Sequence, residues 1–181
     1  MKEYVLEIKK IIPESFCKKI ISYFDNSLYE PGTLGGKDKS IRNCDARSIH
    51  NTNTFGEKIC SNYVLKKVFE CKDLYAAKYS YLSCKKISGC ELLKYEHNQY
   101  KAGYKFHTDM GFSVSERQIS VSICLNNDFS GGEFVFDLQN EIYQYPQNVG
   151  DAIVFPSNFM FPHQVNQVTK GTRYAIVAWL I

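Results

Sequence analysis

The residues in this chain that could do chemistry most directly are His107 and Asp109, in the run Y-K-F-H-T-D at 104–109. The run is apolar and aromatic enough to be a strand, and side chains two apart leave a strand on the same face. An imidazole and a carboxylate therefore converge, while Phe106 and Thr108 face the other way. Such a pair supplies two members of a 2-His-1-carboxylate set, which suits non-haem iron(II) because it leaves coordination positions open. The third ligand must come from elsewhere, and His163, in F-P-H-Q-V, is the candidate. His50 and His97 have no partner at ligand spacing and are expected on the surface.

Other elements must hold these groups in place. Between Gln118 and Asn126, one strand face carries Ile119, Val121, Ile123 and Leu125, and the other carries Ser120, Ser122 and Cys124. The apolar face is expected against helices and the small, semi-polar face around a ligand cavity. In the last strand Arg173, Ala175, Val177 and Trp179 share a face. Arg173 is then either at an open strand end in water or an inward cation that requires an anion. Ahead of these lie an alternating segment at 3–12, a helix opened by Pro13 with Phe16, Ile20, Ile21 and Phe24 as its stripe, and a short strand at Arg47–His50. A second helix runs from Phe55 to about Tyr79, with Ile59, Val64, Val68 and Leu74 apolar. The glycine-rich stretch Glu30–Asp45, with Gly32, Gly35 and Gly36, is expected as a surface loop and is a candidate flap over a site.

From residue 89 onward short strands separated by turn signals predominate: E-L-L-K-Y-E, Y-K-F-H-T-D, Q-I-S-V-S-I-C-L-N, G-E-F-V-F-D-L, E-I-Y-Q-Y, D-A-I-V-F-P, H-Q-V-N-Q-V and T-R-Y-A-I-V-A-W-L. This pattern predicts an α+β protein: a jelly roll, or double-stranded β-helix, of about eight strands buttressed by N-terminal helices. A chain of 181 residues is expected to be a single domain, 1–181, with 1–88 mainly helical support and flap and 89–181 the core. At 44% hydrophobic with a net charge of +3 and scattered lysine pairs, it lacks the basic stripe of a nucleic-acid binder. Seven cysteines without a C-x-x-C pair argue against structural zinc. No signal-peptide or membrane-span pattern is present, so a cytoplasmic, reducing location is expected, with no membrane or nucleic-acid partner.

H-T-D at 107–109, G-G-E-F-V-F at 131–136, G-D-A-I-V-F-P at 150–156, H-Q-V at 163–165 and G-T-R-Y-A-I-V-A-W at 171–179 together resemble the iron(II)/2-oxoglutarate-dependent dioxygenases, and within them the prolyl 4-hydroxylase-like branch. The resemblance covers about Glu91–Ile181. It implies that His107, Asp109 and His163 hold Fe(II), and that 2-oxoglutarate and O2 are cosubstrates, converted to succinate and CO2 as substrate is hydroxylated. Ascorbate is a candidate reductant. Arg173 would grip the far carboxylate of 2-oxoglutarate with its planar fork, helped by the hydroxyl of Tyr95. Tyr104, Arg117 and Trp179 match residues that surround a prolyl ring, which implies a proline-containing peptide or protein substrate. The chain departs from the pattern at Cys124, where some members have a tyrosine that helps bind 2-oxoglutarate, and in the turn Glu96–Ala102. Two alternatives stay open: the same chemistry on a free amino acid or other small metabolite, and a non-catalytic metal-binding jelly-roll module. A nucleic-acid demethylase would carry a second arginine where Trp179 stands.

Overall fold

Pro13, with φ of −60°, caps α1 (Glu14–Phe24), whose Cys17, Ile20 and Phe24 are buried. A capping box between Thr54 and Glu57 starts α2 (Phe55–Lys78). These helices belong to a computed structural model that describes residues 1–25, 30–31, 41–98 and 101–181. The buried face of α2 is Cys60, Val64, Val68, Cys71 and Tyr75. Ile59 and Leu74, expected there, are 48% and 46% exposed, because the true stripe is set by the thiols as small apolar residues.

The strands are β1 (Leu6–Ile8), β2 (Glu30–Pro31), β3 (Arg42–Asn43), β4 (Asp45–Ser48), β5 (Ile87–Glu96), β6 (Gly103–His107) and β7 (Ile119–Cys124). They continue with β8 (Ser130–Gly131), β9 (Phe134–Leu138), β10 (Glu141–Tyr145), β11 (Ala152–Pro156), β12 (His163–Val165), β13 (Val168–Lys170) and β14 (Thr172–Leu180). A seven-stranded sheet has the order β1-β11-β7-β14-β5-β4-β2, and a five-stranded sheet the order β10-β9-β12-β6-β3. The small pair β13-β8 stands apart, and the strand pairs are antiparallel.

Alternation decides which side of each strand does what. Ile119, Val121, Ile123 and Leu125 join Ile20, Phe24, Val64 and Val68 in a core between the seven-stranded sheet and the helices. Leu93, Tyr95, Ile153 and Phe155 join Phe134, Phe136 and Val165 in a second core between the two sheets. Ser122 and the inward residues of β14 border the latter.

Several sequence expectations change in detail. The segment 3–12 is a 3-10 turn at Lys2–Tyr4 followed by only three residues of strand, and Lys10 then turns with φ of 51°. The strand expected at Arg47–His50 is Asp45–Ser48. Both ends of the expected loop Glu30–Asp45 are extended, since β2 pairs with β4 and β3 with β6. Residues 32–40, with the three hinge glycines, lie outside the described residues. H-Q-V-N-Q-V is divided between β12 and β13, which serve different sheets.

Two glycines of the sequence motifs are dictated by backbone approach. Gly150, at φ +80°, would set a Cβ only 1.9 Å from the carbonyl oxygen of Ile12. Gly132, at φ +67°, would set one 2.9 Å from Cδ of Arg173, so its bareness makes room for that side chain. Among the described residues no helix is long and apolar enough to cross a membrane.

Candidate metal centre

β12 and β6 pair with His163 opposite His107, so two imidazoles from distant parts of the chain become neighbours. Asp109 joins them, not from within the strand as expected but two residues beyond its last member, where the chain bends. One ligand atom from each of the three lies within 4.8 Å of the others. His107 Nε2 is 3.8 Å from Asp109 Oδ1, and His163 Nε2 is 3.5 Å from Oδ2.

The tautomers follow from the outer nitrogens. His107 Nδ1 is 2.8 Å from the carbonyl of Lys105, and His163 Nδ1 is 3.0 Å from that of Phe161. A carbonyl only accepts, so each Nδ1 carries a hydrogen and each ring turns its Nε2 toward Asp109. Burial, aided by His163, pushes His107 down to about 3, which keeps that ring neutral. Burial alone would raise the Asp109 carboxyl; His163, His107, Ser120 and Trp179 outweigh it and hold the group below its ordinary value. Asp109 Oδ2 is buried with no hydrogen-bond partner. Two ring nitrogens and a carboxylate oxygen converging on one point make a donor set that fits a divalent metal, and two imidazoles with one carboxylate fit iron(II). Ring packing fixes the ligands: Tyr104 stacks on His107 at 3.4 Å between centroids, and Phe134 on His163 at 5.2 Å.

Arg173 answers the choice left open by the sequence. It is 2% exposed and lines the same cavity as the three ligands. Among the described residues no carboxylate pairs with it; its Nη2 donates to the neutral amide oxygen of Gln147 at 3.0 Å. Gln147 in turn donates to the carbonyl of Ser122 at 3.1 Å. Tyr95 lies opposite Arg173 in the β5–β14 register and is fully buried. Burial, then Cys44, raises its hydroxyl well above the ordinary value, so it stays a donor. Cys124 and Gln147 line a second cavity of about 190 Å³ that Arg173 also borders.

Tyr104 and Trp179 also line the metal cavity. Arg117 stacks 3.9 Å over the Trp179 ring and donates to the backbone oxygen of Asp109 at 3.0 Å. The residues singled out for chemistry thus meet in one place. His50 and His97 stay exposed, as expected. Sequence reasoning missed Arg42 and Gln147. Arg42 sits in a stretch that reads as loop, where the one strand signal is the alternation through Cys44 and Ala46. Gln147 lies in the connection between β10 and β11, and nothing in its sequence surroundings marks it.

The model of the 2OG-Fe(II) oxygenase superfamily matches residues 90–181. A PKHD-type hydroxylase of Idiomarina loihiensis is 25% identical over 181 residues, covering 97% of this chain and 77% of that protein. A PKHD-type hydroxylase of Prochlorococcus marinus is 30% identical over 133 residues, covering 72% of this chain and 56% of that protein. Among solved structures, a prolyl hydroxylase of Trichoplax adhaerens, in complex with a peptide fragment of the hypoxia inducible factor oxygen degradation domain, matches with a TM-score of 0.79 at 18% identity, covering 98% of this chain and 83% of that one. A prolyl-4-hydroxylase of Pseudomonas putida matches with a TM-score of 0.76 at 17% identity, covering 98% and 91%. The structural likeness is one of fold. The chain belongs to the 2OG-Fe(II) oxygenase superfamily, in its prolyl 4-hydroxylase-like branch.

Proposed function

We propose that this member of the 2OG-Fe(II) oxygenase superfamily hydroxylates a prolyl residue in a peptide or protein, with 2-oxoglutarate and O2 consumed and succinate and CO2 formed. The observation that carries the reading is the buried Arg173, which lacks a carboxylate partner among the described residues and shares a cavity with His107, Asp109 and His163. A buried guanidinium is stable only when paired, and the far carboxylate of 2-oxoglutarate is the anion that this chemistry supplies.

In this reading His107, Asp109 and His163 hold iron(II), which when bound couples decarboxylation of the 2-oxo acid by O2 to hydroxylation. The carbonyls of Lys105 and Phe161 keep the histidine lone pairs aimed at the metal. Arg173 and Tyr95 orient the cosubstrate by its far end, and Gln147 keeps the guanidinium plane in register. Tyr104, Arg117 and Trp179 form the wall for the prolyl ring, with flat faces that exclude water. Residues 1–88 then serve as support and 89–181 as the catalytic core. Support for a prolyl substrate comes from Tyr104 and Trp179 lining the metal cavity, with Arg117 stacked on Trp179, and from the prolyl hydroxylases among the fold's neighbours.

The test is incubation with iron(II), 2-oxoglutarate, ascorbate and a capped proline-containing peptide. The expected result is succinate matched by gain of one oxygen on the peptide. Oxygen gained only by free proline would move the same chemistry to a small metabolite. Succinate with no oxygen on any proline compound would contradict the prolyl assignment.

A further inference from the structure

The metal cavity and the cavity of about 190 Å³ behind Arg173 share two walls, Phe134 and Arg173. Gln147 stands where they meet. It lines the rear cavity, yet its amide reaches residues of the other: Nε2 donates to the carbonyl of Ser122 at 3.1 Å, and Oε1 accepts from Arg173 Nη2 at 3.0 Å. The rear space exists because side chains around it are small or turned away. Gly131 and Gly132 carry none, and Cys124 turns its Sγ to the carbonyl of Asn126 at 3.1 Å. Glu133, the acid of that lining, is held by Asn166 at 3.0 Å, so among the described residues a carboxylate entering there finds its cation in Arg173.

An acceptor on Nη2 of a buried guanidinium holds the place that a carboxylate oxygen would take. A neutral amide is the weaker acceptor, so a diacid gripped by Arg173 displaces Oε1, while the rest of the Gln147 side chain stays in the path of a longer tail. The distance from the metal ligands to that side chain therefore limits chain length. We infer that Gln147 is the stop that sets cosubstrate length, separating 2-oxoglutarate from the 2-oxo diacid one methylene longer, and that the rear cavity receives the longer tail once the amide is removed. The inference rests on the proposed function and adds the residue that selects its 2-oxo acid. An amide also leaves Arg173 without the permanent ion pair that a glutamate at this position would impose.

The test reads cosubstrate binding without turnover. Iron(II)-loaded protein is titrated anaerobically with 2-oxoglutarate, 2-oxoadipate and 2-oxopentanoate, which lacks the far carboxylate, and the metal-to-ligand charge-transfer band gives each dissociation constant. The wild type should prefer 2-oxoglutarate to 2-oxoadipate by about tenfold or more, the usual effect of one misplaced methylene. That ratio should fall to near unity in Gln147→Ala. A side chain that merely braced Arg173 would weaken both diacids alike and leave the ratio where it was. Gln147→Glu, close to isosteric, should occupy Arg173 and weaken 2-oxoglutarate about tenfold or more, the value of a charge-assisted hydrogen bond, with 2-oxopentanoate unchanged. An unchanged ratio in Gln147→Ala overturns the inference. So does equal weakening of 2-oxoglutarate and 2-oxopentanoate in Gln147→Glu, or a wild type indifferent to the extra methylene. Failure of the dioxygenase reading shows separately, as folded, iron-bound wild type that gives no band with any of the three acids, and the inference falls with it.

Discussion

Two buried arginines, one in each core, are held in opposite ways. Arg47, beneath the helices, is 6% exposed and fully engaged: it donates to the carbonyls of Phe24 and Asn51 and to Glu57 Oε1 at 3.1 Å. Glu57 also accepts from the backbone of Thr54, so one ion pair ties the end of α1 to the start of α2. Arg173, between the sheets, is more deeply buried at 2% and has an amide where Arg47 has a carboxylate. Of the buried side-chain polar atoms without a partner among the described residues, those of Arg42, Asp109, Arg117 and Trp179 belong to the metal cavity or to its neighbours, leaving Tyr145 as the exception. A paired arginine is architecture, whereas an unpaired one beside a cluster of lone pairs is a site shaped for something the chain does not contain.

If that contrast is right, damage should fall on different properties in the two regions. The largest effect is expected from His163→Ala, which removes a ligand: iron affinity should fall by more than the roughly 100-fold that loss of an outer partner costs, and turnover should vanish. Retained turnover at full iron occupancy would remove His163 from the set. Glu57→Ala should leave Arg47 buried and unpaired, at a cost of about 3–5 kcal/mol in folding stability. Calorimetry should record this as a lower Tm, with iron and 2-oxoglutarate affinities of the folded protein unchanged. A shift in either affinity would blur the division between the regions.

Arg173→Ala should do the reverse. It should weaken 2-oxoglutarate binding about 10- to 100-fold, the value of hydrogen bonds from a charged group, with iron binding much less affected. Equal effects on both ligands would argue against its role. The smallest effect is expected from Gly132→Ala, which presses on Arg173 Cδ without touching its charge. Roughly five-fold weaker 2-oxoglutarate binding corresponds to about 1 kcal/mol. An unchanged affinity would show that Arg173 tolerates displacement.

The contrast was only partly legible in the sequence. The alternation in Ile119–Cys124 and Arg173–Trp179 assigned each strand an outer and an inner face, because a period of two leaves no other arrangement. The H-x-D spacing suggested His107 and Asp109 as a pair, although Asp109 lies beyond the strand, whereas His163 was a candidate that the resemblance joined to them. What stayed hidden depends on contacts between segments far apart. Arg42 reaches the cavity through pairing of β3 with β6, and Gln147 meets Arg173 across 26 positions of chain. The thiols on α2 also obscured its buried stripe, since cysteine carries little weight in a hydrophobic pattern but packs as a small apolar residue.

The central claim, that Arg173 and the His107–Asp109–His163 set form one site for iron and a 2-oxo acid, is tested most directly by anaerobic visible absorption. Iron(II) is added to the protein, then 2-oxoglutarate, to wild type and to Arg173→Ala in parallel. The account predicts a new metal-to-ligand charge-transfer band in the wild type at low 2-oxoglutarate, and the same band in the variant only at much higher concentration. A folded, iron-bound wild type that gives no band, or a band indifferent to Arg173, would contradict it.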